Sequence, residues 1–319
     1  TTASTEWAIP IVTEANTQVS KYKRATVEEL YTWIITEMEE ACPLLKEREE
    51  HRMRCYKATG YALLGKVYFQ MGKYEKALEP LRISYRLLQG DPNVYLTDYK
   101  NKQASFGYTE MGMMEIMSFI PFVYSDNETL YCKFNPTMRN YYLPYYNMAP
   151  TDYLKPEIYV LFSEKDLRRN LISTKNTLGE SLPYPYCGAL GAHTNLGCAL
   201  PEVYLMLAEC EARAGSESEA KRILKEFRSY RLLDGYEDVP ASVKTKEELI
   251  RFCVEEQTRE FVGTGYRFYN VRRLWNDPLF QDWKPITHTV GKQVFTLREA
   301  QLKIAYPKTI LNWNEDWKK

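Results

Sequence analysis

YKATGYALLGKVYFQMGKYEKALEPLRISYRLL, residues 56–88, reads as two helices joined by a turn at Gly72. Along them stand Tyr61, Leu64, Gly65, Tyr68, Gly72, Tyr74, Ala77, Leu81 and Ser84, large and small residues alternating at helical spacing. The small residues Gly65 and Ala77 let the two helices approach closely, while Tyr61, Leu64, Tyr68 and Leu81 fill the gaps around that contact.

This order is that of a tetratricopeptide repeat. A second copy lies at 201–231, PEVYLMLAECEARAGSESEAKRILKEFRSYR. There Tyr204, Leu207, Ala208, Gly215, Ala220 and Leu224 keep the mutual offsets of Tyr61, Leu64, Gly65, Gly72, Ala77 and Leu81. The copies are too far apart in the chain for a simple tandem solenoid. Each hairpin exposes an apolar face that needs a neighbour. The segment at 26–45, opened by the capping box Thr26 and Glu29 and closed near Pro43, and another at 245–262, with Thr245 and Glu248, are expected to supply it.

The expected fold is mainly α: tetratricopeptide-like helical hairpins with a long irregular, loop-rich insertion, in a single domain over 1–319. The helical-repeat parts fall at about 26–90 and 200–265, the irregular part at about 91–199, and a carboxy-terminal segment at 266–319. In 91–200 proline, glycine, asparagine and tyrosine rise and helical periodicity fades. Runs such as SFIPFVY and EIYVLF there read as turns, short strands or brief helices. Irregular stretches of that length inside an ordered protein commonly carry function.

Composition narrows the function classes. The 319 residues are 45% hydrophobic, ample for a buried core, and lysine plus arginine equal aspartate plus glutamate at 42 each. No net field exists to hold a phosphate backbone, so nucleic acid is not an expected partner. No apolar run approaches the roughly 20 residues needed to span a bilayer, and TTASTEWAIPIV lacks the build of a signal peptide. The start at Thr1 suggests a processed or trimmed product. The seven cysteines are scattered without a CxxC pair, which argues against a disulfide framework or a zinc site. Cys42, Cys210 and Cys253 read as small buried hydrophobes, and a Cys187–Cys198 bridge stays open.

Catalytic and cofactor signatures are missing. The three histidines, His51, His193 and His288, have no metal-ligand spacing, and there is no GxSxG elbow, Walker loop or GxGxxG after a strand. Gly188, Gly191 and Gly197 read as a plain turn region. Glu255, Glu256 and Glu260 are the carboxylates to weigh for glycoside hydrolysis, which needs two of them about 5–9.5 Å apart. Arg251 and Arg259 on the same helix point to ion pairing instead. No cofactor, no metal and no catalytic residue are expected.

The positive signal is aromatic. Of 26 tyrosines, many fall between the hairpins: Tyr124, Tyr131, Tyr141, Tyr142, Tyr145, Tyr146, Tyr153, Tyr184 and Tyr186, with Phe134 among them. An aromatic face can stack on the C–H face of a sugar ring while its hydroxyl bonds a sugar hydroxyl. The candidate ligand-binding residues are therefore Arg139, Tyr141, Tyr142, Tyr145, Tyr146 and Asn147. The alternative is that these tyrosines pack the loops against the helices.

Residues 255–275, EEQTREFVGTGYRFYNVRRLW, resemble a recurring segment of the SusD/RagB family through Glu256, Glu260, Phe261, Gly265, Arg267, Phe268, Arg273 and Trp275. Glu202, Tyr204, Leu205, Ala208 and Glu209 resemble the family's Glu-x-Tyr-Leu hairpin. Asp166 and Arg168 match its Asp-x-Arg region, and Tyr306, Pro307, Ile310 and Asn312 its closing motif. Where the family has acids near the glycine and after the aromatic pair, Thr264 and Asn270 stand, so some ion pairing around Arg267 and Arg273 is not secured by the motif.

The resemblance implies a non-catalytic lipoprotein on the surface of the outer membrane of a Gram-negative bacterium. It would bind oligosaccharide or polysaccharide and pass it to a SusC-like TonB-dependent transporter. It further implies an amino-terminal part, with a lipidated cysteine as the only membrane attachment and further repeat helices, that this sequence does not show. The rival expectation is a tetratricopeptide-type interaction subunit of an outer-membrane transport complex without glycan affinity of its own.

Overall fold

The computed structural model describes residues 3–318 except 17, 20, 52–53, 105–125, 134–153, 176–179, 187–196 and 291. The chain divides into two compact units: Leu44–Leu274, and Thr1–Pro43 together with Trp275–Lys319. The smaller unit holds helix α1, Val27–Ala41, whose start follows the capping-box pattern. Thr26 Oγ1 accepts from the Glu29 amide at 3.1 Å, and the Glu29 carboxylate accepts from the Thr26 amide at 2.7 Å. In the same unit Arg24 donates to the carbonyls of Trp7 and Ala8 and lies over the rings of Tyr306 (4.9 Å) and Trp317 (5.7 Å). The closing motif of the sequence thus meets the amino-terminal stretch through the guanidinium of Arg24.

The larger unit opens with the first hairpin, α2 (Lys57–Gln70) and α3 (Tyr74–Leu88). Its turn requires glycine at 72, where φ is +71°, a conformation that other residues adopt only with strain. Gly65 is required for a different reason. A Cβ there would sit 2.5 Å from Cγ of Leu81, itself fully buried, so the close approach of α2 and α3 depends on the missing methyl.

Among the described residues the stretch after α3 contains α4 (Tyr99–Ala104), β1 (Thr129–Tyr131), α5 (Pro156–Tyr159), β2 (Ser173–Lys175), β3 (Ser181–Tyr186) and β4 (Cys198–Ala199). The run EIYVLF forms the short helix α5 and the turn after it. β1 pairs antiparallel with β4, Thr129 opposite Ala199 and Tyr131 opposite Cys198, and β2 pairs antiparallel with β3. The second hairpin follows as α6 (Leu200–Ala214) and α7 (Glu217–Ser229), and then α8 (Lys246–Glu260) and α9 (Tyr266–Leu274).

The two hairpins, far apart in sequence, are neighbours in space: α6 packs against α3, α7 and α8 at once. That position explains why every residue of α6 from Leu200 to Ala212 is buried. Ala77 and Ala220, at equivalent places in the two copies, have no exposed surface, and the same holds for Leu81 and Leu224. The protein is therefore mainly helical, with a repeat frame interrupted by an irregular insertion. Of the two helices expected to complete the stack, α8 does so, opened by the Thr245–Glu248 capping box, while α1 falls in the other unit. Cys42, Cys210 and Cys253 are buried as read. Cys187 lies outside the described residues.

Gly65→Ala is expected to lower stability in urea unfolding by about 1–3 kcal/mol through overpacking. With Leu81→Ala also present, the extra cost of the methyl should vanish. An equal cost in both backgrounds would contradict the contact.

Candidate functional site

The acids weighed for catalysis are bound up in ion pairs. Glu256 on α8 has no exposed side-chain surface and meets Arg168 at 2.6 Å, Arg228 at 2.8 Å and Arg259 at 2.8 Å. Glu260, one turn on, meets Arg231 at 2.8 Å and Arg168 at 3.0 Å. Arg168 also holds Asp166, at 2.7 and 2.9 Å, while the same carboxylate accepts from the Arg168 amide at 3.0 Å. Burial alone would raise the Glu256 carboxyl, but Arg259, Arg168 and Arg228 outweigh it and hold it well below the usual range. For Glu260, burial is likewise outweighed by Arg231 and Arg168, and the net shift is downward. Neither can serve as a proton donor near neutral pH. Glu255 is half exposed, with Arg259 at 3.9 Å.

The guanidinium groups also lie over aromatic rings. Arg231 lies over Tyr99 at 4.4 Å and Phe227 at 4.9 Å, and Arg228 and Arg259 lie over Phe252 at 5.1 and 5.2 Å. Arg228 reaches past α7 to the carbonyls of Tyr236 and Glu237, so the loop after the second hairpin is tied to the same cluster.

A second buried pair accounts for Arg273, one of the two arginines the motif left open. Arg273, without exposed side-chain surface, meets Glu209 of α6 at 2.7 Å and donates to the Tyr74 hydroxyl at 2.8 Å. Asn270, standing where the family has an acid, donates to Gln257 at 2.9 Å and accepts from Arg273 at 3.1 Å. Gln257 in turn donates to Glu209 at 2.8 Å. The charge that the segment lacks is supplied from the second hairpin. Thr264 accepts from the Tyr266 amide and donates to the Phe261 carbonyl, shaping the turn into α9.

The candidate ligand residues Arg139, Tyr141, Tyr142, Tyr145, Tyr146 and Asn147 lie outside the described residues, as do Tyr124, Phe134 and Tyr153. Described are the stems on either side of them. On the amino-terminal side β1 leads to Cys132, which is buried. On the carboxy-terminal side the Leu154 amide donates to the Pro185 carbonyl at 2.8 Å, and Ile158 and Phe162 pack on Ile172 and Val262. Both stems reach the charge cluster: Glu128, just before β1, meets Arg231 at 2.7 Å, and Asp166 and Arg168 follow α5. Of the other tyrosines, Tyr184 on β3 is 52% exposed.

Sequence reading found Arg259 as a neighbour of the acids and Arg168 as part of a motif, without its acidic partners on α8, and missed Arg228 and Arg231, which converge from elsewhere in the chain. The Asp166-x-Arg168 motif was the one signal for Arg168. Among the described residues no cluster of ligating side chains could hold a metal ion, and no helix is long and apolar enough to cross a membrane.

Residues 200–314 match a family model described as the SusD family, and residues 4–69 match one described as starch-binding associating with the outer membrane. Similar solved structures include a SusD superfamily protein from Bacteroides thetaiotaomicron (20% identity, TM-score 0.65, covering 98% of this chain and 70% of that one). A SusD-like carbohydrate binding protein from Bacteroides vulgatus is similar at 17% identity, TM-score 0.60, covering 92% and 62%. Surface glycan-binding protein A from Bacteroides uniformis is similar at 16% identity, TM-score 0.64, covering 96% and 71%. At these identities the likeness is one of fold. The chain spans 56% of the length of one such solved protein and 72% of another. No curated protein matches the sequence.

Arg168→Met leaves Asp166, Glu256 and Glu260 with one cation fewer and is expected to cost about 3–5 kcal/mol in urea unfolding at pH 7. A loss below about 1 kcal/mol would contradict the role given to the cluster. Because Glu209, Glu256 and Glu260 are held below their ordinary value of 4.5, they stabilise the fold above it. That stability is lost as pH falls through their lowered values, so the melting temperature should drop steeply below about pH 4. An acid limb that is flat down to pH 3 would contradict it.

Proposed function

The chain belongs to the SusD/RagB family, and on that premise we propose that it binds oligosaccharide or polysaccharide at the cell surface without transforming it. The ligand is passed to a SusC-like TonB-dependent transporter of the outer membrane, and a lipid anchor on the full-length protein keeps it there. The observation that carries the reading is the position of the tyrosine-rich segment. It interrupts a helical frame matched on one side by the starch-binding model and on the other by the SusD model.

The chemistry of that segment suits the task. Tyr141, Tyr142, Tyr145 and Tyr146 offer apolar ring faces for the C–H face of a sugar and hydroxyls for its polar rim. Arg139 and Asn147 add donors and, at Asn147, an acceptor. The frame carboxylates at 256 and 260 are neutralised by arginines, which supports binding over hydrolysis at that place.

Calorimetric titration with a panel of oligosaccharides tests the reading. One class should bind, and Tyr141→Ala, Tyr142→Ala, Tyr145→Ala or Tyr146→Ala should weaken it by about tenfold where the ring stacks, equivalent to about 1.4 kcal/mol. If no glycan binds, while a membrane transporter still co-purifies with the chain, the protein is an interaction subunit instead. Should glycans bind equally well to all four variants, the site lies elsewhere.

A further inference from the structure

Glu128 joins three parts of the larger unit. Its carboxylate accepts from the Thr97 amide at 2.9 Å and from Arg231 Nη2 at 2.7 Å. Its own amide donates to Asp126 at 3.1 Å, and its carbonyl accepts from the Leu200 amide at 2.7 Å. Arg231 completes the pin by donating to the Thr97 carbonyl at 2.9 Å. One acid and one guanidinium thus grip Thr97 by its amide and its carbonyl, holding the stretch before α4 against the turn before β1 and the start of α6.

The two carboxylates on Arg231 are unequal. Glu260 accepts from both Nε and Nη2 of Arg231 and has Arg168 as a second cation at 3.0 Å. Glu128 has Arg231 as its one hydrogen-bonded cation among the described residues. Among the described residues the charged and titratable groups facing it are Tyr99 and Lys102 of α4, Asp126 of its own turn, Arg231 beyond α7 and Glu260 of α8. Of the acids around the shared guanidinium, Glu128 is the least compensated.

We propose that Glu128 is a proton-binding site of the folded protein: the pin on Thr97 is held by a neutral acid on the acid side of neutrality, and above it by a carboxylate competing with Glu260 for Arg231. A proton on the second oxygen leaves the first free to go on accepting from Thr97 and Arg231, while Glu260 answers the charge of Arg231. Burial pushes this carboxyl up to about 7; Arg231 pulls against burial, and Asp126 and Glu260 add to the rise. When the pin opens and the acid meets water, its ordinary value of 4.5 returns. The closed form therefore binds a proton that the open form does not between about 4.5 and 7. Closure is favoured as pH falls through 7, and that advantage is lost as pH rises through it.

Hydrogen exchange at the Thr97 amide, corrected for the intrinsic pH dependence of exchange, reads the pin directly in the full chain. Protection should rise by about tenfold between pH 8.5 and pH 6 in the wild type, as the linkage of one such proton requires. In Glu128→Gln, which keeps the acceptor and is neutral throughout, the profile should be flat. A flat wild-type profile, or a rise as large in Glu128→Gln, overturns the proposal. If the variant does not fold, the carboxyl carbon shift of Glu128 in the wild type decides: titration near 7 supports the site, and titration at 4.5 or below overturns it. No glycan enters either measurement, so the outcome is independent of the glycan-binding reading.

Discussion

Glu256 sits with three arginines in a space closed to water, and much of the larger unit is arranged to make that possible. A carboxylate and a guanidinium taken out of water each lose several kcal/mol of hydration, and only near-complete pairing and hydrogen bonding offset it. The cluster meets that condition by sharing. Arg168 serves Asp166, Glu256 and Glu260, and Arg231 serves Glu128 and Glu260. Each shared ion comes from a different part of the chain, so the cluster is complete only when α8, the end of α7 and both stems of the insertion are in place. Buried apolar contacts tolerate small slips of packing, but ion pairs at 2.6–3.0 Å without water do not. That is the physical reason for an irregular insertion to be fixed at its stems by charge.

The frame itself was open to sequence reading because its signals are local. Helical spacing, a glycine at each turn and two capping boxes all lie within a few residues of the feature they specify, and Thr26, Gly72 and Thr245 do what their positions imply. The packing of α3 on α6, which joins the two copies across the insertion, was not read: equal offsets in both showed only that they follow the same repeat pattern. Loop-closure entropy grows slowly with length, so a long insertion between two stacked hairpins costs little more than a short one. The partners Arg228 and Arg231 could not be read at all. Nothing near Arg228 or Arg231 in the chain reports that Glu256 or Glu128 will be beside it. Arg273 shows the same limit from the other side: its local acid is replaced by Asn270, and Glu209 of a different helix takes over.

The candidate binding residues were legible only as composition. A run of tyrosines states that ring faces are available but not whether they meet sugar or protein, because both uses draw on the same apolar body and polar tip. The division of labour is clearer. Glu209, Glu256 and Glu260 of the frame are each paired with arginines, while tyrosines concentrate in the sequence where the frame is interrupted. A protein built to hold a neutral, hydroxyl-rich ligand needs that second resource and not the first.

A crystal structure of the chain with a bound oligosaccharide, chosen from the class with the highest affinity, tests the central claim most directly. The expected result is a sugar ring lying against the face of Tyr141, Tyr142, Tyr145 or Tyr146, with one of its hydroxyls within hydrogen-bonding reach of Arg139 or Asn147. An oligosaccharide held only by residues of the helical frame, with those four rings turned away from it, would contradict the claim.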